Sequence, residues 1–168
     1  IYASFMATVP FFGIVALPLT MVIIAGDIDL SFPSLMAVGV VTFVEVFEAS
    51  SNVYIAFVAC LAAGFIAGLI NGIIIVKIGI PSLIATIGTQ FFWRGVVLVV
   101  REGRGGVLVE PKNSLLGDAL VGKVLDYVPL QMVWFVIIAF AVWAVLNRHR
   151  FGAHVYLIGD NENSARLM

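Results

Sequence analysis

The stretch VYIAFVACLAAGFIAGLINGIIIV, Val53 to Val76, runs for 24 residues without a charged side chain and is closed by Lys77. Crossing about 30 Å of hydrocarbon takes roughly 20 apolar residues in an α-helix. This one stretch therefore predicts a membrane span, and similar runs lie on both sides of it. Before it stand a span over about 3–25 and a second over about 30–48. After it come spans over about 81–100 and 129–147, the last flanked by Trp134, Trp143 and the basic stop Arg148-His149-Arg150. The fold expected is an all-α polytopic membrane protein, a bundle of five transmembrane helices over residues 1–150. Pro10 and Pro18 fit the first span, because a bundled membrane helix accommodates proline where a soluble one does not. The second span is expected to be short or broken, since its uncharged run, Leu30 to Val44, is bounded by Asp29 and Glu45.

Composition agrees with lipid as the solvent. Of 168 residues, 62% are hydrophobic and 11% charged, and the mean hydropathy is +1.13; soluble domains do not reach this balance. A net charge of -1 supplies no basic field for nucleic acid. The single cysteine, Cys60, has no intrachain disulfide partner, and His149 and His154 are too few for a metal site. No phosphate loop and no catalytic triad is present, so the chain is not expected to be an enzyme. Both ends read as internal to a longer protein. Residues 101–128, with mixed charge and glycine, are expected to form an extracytoplasmic loop carrying a short surface helix. Residues 151–168 are expected to begin a cytoplasmic loop, an orientation favoured by Arg148 and Arg150 set tight against a helix end.

Three sets of residues are singled out. Ala56, Cys60, Gly64, Gly68 and Gly72 recur every fourth position and place small side chains on one stripe, the usual basis of close helix packing in lipid. Thr86, Thr89, Gln90, Trp93 and Arg94 fall at i, i+3, i+4, i+7 and i+8, so hydroxyls, an amide, an indole and a guanidinium share one helix face. That face is read either as the wall of a path for a polyhydroxy solute or as groups bonding neighbouring helices, with Arg94 reaching toward the interface. Asp27 and Asp29, beside Ser31 and Pro33, are read as a cap for the following helix rather than as a proton relay.

Four stretches together resemble the ribose-type branch of the ABC importer permeases. GDIDLS, Gly26 to Ser31, is similar to that branch's Gly-Gly-Ile-Asp-Leu-Ser, with Asp27 in place of the second glycine. AGLINGIIIVKIGIPSLIATIGT, Ala67 to Thr89, resembles its run of small residues, Asn-Gly, basic turn, proline and threonine-rich segment. Arg94-Gly95 stands where the branch has an Arg-Gly pair. RFGAHVYLIGDNENSARLM, Arg150 to Met168, resembles its Arg-Phe-Gly, Tyr-Ala-Ile-Gly, Asn-x-x-Ala-Ala-Arg-Leu run, with Asp160 and Ser164 departing from it. The resemblance covers nearly the whole chain.

It implies a permease subunit in the cytoplasmic membrane that moves a simple sugar or sugar-like solute by ATP-driven alternating access. The implied partners are a second permease copy in a homodimer, cytoplasmic ATPase subunits, an extracytoplasmic solute-binding protein and membrane lipid. No cofactor is expected in this chain, with ATP and Mg held by the ATPase subunits. Gly159, Asp160, Asn161, Glu162, Ala165 and Arg166 then become the loop that couples to them. The alternative is an ion-coupled secondary transporter of a small polar solute.

Overall fold

A computed structural model describes residues 2–102, 104, 114–124 and 128–161, with the side chains of 2–4 and 7 left aside. It is the all-α polytopic membrane architecture expected from the sequence. Four helices are long and apolar enough to cross a membrane, and the first helix adds a shorter apolar stretch, Thr8–Ile24. Large apolar side chains point outward rather than into a core: Phe65, Phe91 and Phe140 are 72%, 67% and 66% exposed. Such surfaces are faces for membrane lipid or further helices to cover. The chain divides into two compact units, Ile28–Leu116 and, joined from both ends of the sequence, Ile1–Asp27 with Gly117–Met168.

The first of these units holds α2 (Phe32–Ser50), α3 (Val53–Ile73) with a π-helical turn over Ile74–Ile78, and α4 (Ser82–Arg101); α1 (Tyr2–Ile24) belongs to the other unit. α2 turns into α3 within two residues. Ser51 adopts a left-handed conformation at φ 51°, and the Asn52 side chain accepts from the N–H groups of Tyr54 and Ile55 at 3.0 and 3.2 Å, capping α3. Gly79, at φ 81°, ends the π turn; that conformation costs glycine least.

α2 is short, at 19 residues, but unbroken. It continues past the first acid because Glu45 and Glu48, one turn apart, both meet Arg101, at 2.8 and 3.5 Å. The capping expectation is corrected. Ser31 occupies the N-cap of α2 but makes no side-chain cap bond, since its hydroxyl is spent on Asp29 instead.

In the second unit α1 packs along α6 (Leu130–Arg148), and α7 (Arg150–Asp160) lies against both. α5 (Leu115–Val121) is the short helix foreseen in the loop, and β1 (Lys123–Val124) pairs antiparallel with β2 (Val128–Pro129) ahead of α6. Trp134 anchors the start of α6 by donating its indole N–H to the Ala119 carbonyl at 2.9 Å. Pro10 lies buried within an uninterrupted α1. Gly13 admits the ring of Phe135, which stands where a Cβ would project.

Residues 151–160, read from sequence as the start of a water-exposed loop, form a helix with Gly152 and Val155 buried. Gly152 and Gly159, together with Val155, give this largely apolar helix a packing face.

Candidate functional site

The irregular backbone of Asp27 to Ser31 leads into α2, and its carbonyl and amide groups need partners that helix geometry does not supply. α3 and α4 provide them. Ile28 N–H donates to Ser82 Oγ at 3.2 Å, and Thr86 Oγ1 donates to the Ile28 carbonyl at 3.3 Å and to its own helix at Ser82 at 2.7 Å. Asp29 Oδ1 accepts from Ser31 N–H at 2.7 Å and from Ser31 Oγ at 2.5 Å. Asn71 Nδ2 then donates to Ser31 Oγ at 2.7 Å, completing a chain from amide to hydroxyl to carboxylate. Ser31, Asn71 and Thr86 are buried. These bonds tie the non-helical segment to α3 and to the start of α4.

The two ends of α2 are tied to α4 in constant register. Ser34 Oγ donates to the Gln90 carbonyl at 2.8 Å, and eleven residues further along both helices Arg101 Nη1 donates to Glu45 Oε1 at 2.8 Å. Both pairs differ by 56 in sequence number. Equal offset requires α2 and α4 to run parallel, with α3 returning between their ends. One polar tie joins the start of α2 to the middle of α4, and the other joins the latter part of α2 to the end of α4.

The sequence-predicted residues separate on this frame. Thr86 belongs to the node, 1% exposed and committed to backbone carbonyls. Thr89 Oγ1 reaches only back to the Thr86 carbonyl at 3.3 Å. The backbone of Gln90 serves Ser34, Trp93 buries its indole nitrogen without a partner among the described residues, and Arg94 is exposed. The polar face of α4 is therefore partly spent on α2, and Arg94 at its edge is exposed.

On α3 the small-residue stripe divides in the same way. Ala56 is fully buried and Cys60 lies against Gly39, whose added Cβ would meet Sγ at 3.3 Å; around Gly64, Gly68 and Gly72 there is open space. The contact face continues instead through Ala67 and Asn71, both buried. One step around the helix separates the two readings.

Of the residues expected to couple, Gly159 and Asp160 close α7 and Asn161 is its C-cap, its N–H bonded to the Leu157 carbonyl at 2.9 Å. Gly159 packs against the Ile24 carbonyl at the end of α1. Glu162, Ala165 and Arg166 lie outside the described residues. Sequence reasoning quoted Asn71 and Ser82 without giving them a role. Their signal was present: an amide and a hydroxyl within apolar spans.

The family described as branched-chain amino acid transport system, permease component, matches residues 1–168. This chain belongs to that family. Among curated proteins, the permease is similar to the autoinducer 2 import system permease protein LsrD of Klebsiella pneumoniae, at 35% identity over 156 residues, which is 92% of this chain and 47% of the relative. The proteins of the same name in an Enterobacter species and in Yersinia enterocolitica are each 33% identical over 162 residues, covering 92% of this chain and 48% and 47% of the relatives. The chain spans about half the length of the curated relatives it matches. No solved structure matches it. As a family member with several apolar membrane-length helices, it is a multi-pass protein of the bacterial inner membrane. Two of the stretches that carry the permease resemblance, Gly26–Ser31 and Ala67–Thr89, are the ones that meet at the node.

Proposed function

We propose that this chain is the membrane-spanning part of an ABC importer permease that passes a sugar-like solute inward by alternating access, with ATP and Mg bound by separate ATPase subunits. The observation that carries the reading is the permease family's match over residues 1–168, and the relatives' names, autoinducer 2 import permeases, point to a small polyhydroxylated solute. A solute-binding protein outside, ATPase subunits inside and a second permease copy are the partners. The chain itself performs no covalent chemistry.

In this reading Thr89, Gln90, Trp93 and Arg94 are the groups of α4 nearest a solute path, and Thr86 holds the rigid segment beside it. Residues 101–128 are extracytoplasmic, and residues from 159 onward couple to the ATPases. The clamped Asp27–Ser31 segment suits such a device, because non-helical backbone at a bundle end is tolerated where it is fully bonded or lines a cavity.

The test is uptake by cells carrying the full permease with its ATPase and binding protein. Uptake that needs the binding protein and survives an uncoupler while ATP is maintained is the expected result. Uptake that collapses with the ion gradient and ignores ATP would make the protein a secondary carrier instead.

A further inference from the structure

Arg148 ends α6 and Arg150 begins α7, so α7 starts at the level where a membrane-crossing helix stops. Its backbone touches two helix ends. The carbonyls of Val145 and Leu146, in the last turn of α6, stand where a Cβ on Gly152 would project, and the carbonyl of Ile24, the last residue of α1, does the same at Gly159. Seven residues along a helix rising ~1.5 Å each separate the glycines by roughly 10 Å. This matches the 8–10 Å between axes of packed helices. α7 therefore lies across the ends of α1 and α6.

Turning about 100° per residue, α7 presents its surfaces in a fixed order. Gly152, Val155 and Gly159 face α1 and α6. Phe151 and Ile158 come next, 53% and 42% exposed, then Arg150 and His154, and on the far flank Asp160 and Tyr156. An apolar edge beside an exposed arginine is the pattern of a helix lying in the headgroup layer. Arg148 adds a second guanidinium, 5.9 Å from the centroid of the Trp143 ring. Among the described residues, no carboxylate forms an ion pair with Arg148 or Arg150.

We propose that α7 is an interfacial helix and that Arg148 and Arg150 bind the phosphate of an anionic phospholipid, phosphatidylglycerol being the probe, at the end of α6. Lipid rather than free phosphate is the occupant because the exposed Phe151, Ile158 and Trp143 offer apolar surface that only an acylated ligand covers. Arginine forks suit phosphate oxygens, and basic residues beside a span attract anionic lipid. The inference requires only that α6 crosses the membrane, and it stands whether or not the transport reading holds.

The experiment uses the full permease in nanodiscs, with Trp143 as the sole tryptophan, every other being replaced by phenylalanine. Quenching of Trp143 by a minor fraction of brominated phosphatidylglycerol is compared with quenching by the same fraction of brominated phosphatidylcholine. The glycerol lipid is expected to quench more, and its preference to fall about fivefold for each arginine removed in Arg148→Gln and Arg150→Gln. The paired Arg148→Lys, Arg150→Lys variant, which keeps both charges, is expected to retain most of it. Should the glutamine variants not fold, the lysine pair and the lipid comparison on the parent decide. Equal quenching by the two lipids overturns the proposal, as does a preference untouched by the glutamine pair. Loss of preference on adding inorganic phosphate assigns a free-anion site, and loss on adding ATPase subunits assigns a protein-docking face; either also overturns it.

Discussion

Asn71 sits at the point where sequence-distant polar groups become one network. Its Nδ2 feeds Ser31, which feeds Asp29, and its Oδ1 is buried without a partner among the described residues. Removing the amide leaves the Ser31 hydroxyl with one bond fewer inside a bundle, so Asn71→Ala is expected to destabilise by about 1–3 kcal/mol. Side-chain bonds between membrane helices are often worth less, on average about 0.6 kcal/mol by double-mutant cycle. A cycle of Asn71→Ala with Ser31→Ala on the purified full permease measures which applies. A coupling near zero would show that the bond does not hold the segment. Arg101 calls for a smaller expectation. Its acidic partners are 44% and 60% exposed as side chains, and exposed pairs contribute little. Arg101→Gln is expected to lower stability by at most about 1 kcal/mol, with the difference shrinking at high salt.

Helix packing sorts the glycines into two kinds. Gly159 and Gly152 meet backbone carbonyls, whereas Gly64, Gly68 and Gly72 meet nothing within 4 Å. Gly159→Ala is accordingly expected to destabilise by about 1–3 kcal/mol through overpacking. Gly68→Ala removes a flexible residue from mid-helix and is expected to be neutral or to stabilise by up to about 1 kcal/mol. Thermal unfolding of the two variants of the full permease tests the ordering. Equal losses would mean that another helix covers Gly68 in the whole protein. At this scale the sequence shows the small residues of α3 but not the rotation that buries Ala67 and Asn71 rather than Gly68 and Gly72 in this unit.

For the whole molecule, the proposed coupling role of the tail beyond α7 makes a geometric prediction. Gly159 presses on the end of α1, so force on residues after 159 reaches α1 and α6 through one rigid element. Glu162→Cys in the full importer is expected to cross-link to an ATPase subunit, with a yield that changes between ATP-bound and ATP-free complexes. No cross-link in either state would separate the tail from the ATPases and leave α7 as a surface helix only.

The membrane-spanning helices and their solvent were legible in the sequence because a membrane span is a local property. About 20 apolar residues satisfy both the hydrocarbon and their own backbone bonds without reference to anything distant. The resemblance of Gly26–Ser31 and Ala67–Thr89 to a permease branch was likewise legible, being a matter of order and spacing. Only the tertiary structure decided that Asp29, Ser31, Asn71, Ser82 and Thr86 form one node, that α2 continues through Glu45 to meet Arg101, and that 150–160 is a helix seated on α1 and α6. The partners are 40 to 58 residues apart at the node and the Arg101 tie, and 135 apart where Gly159 meets Ile24. Burial turns such a polar group from a liability into a tie once the partner arrives, and the chain folded in three dimensions is what brings it.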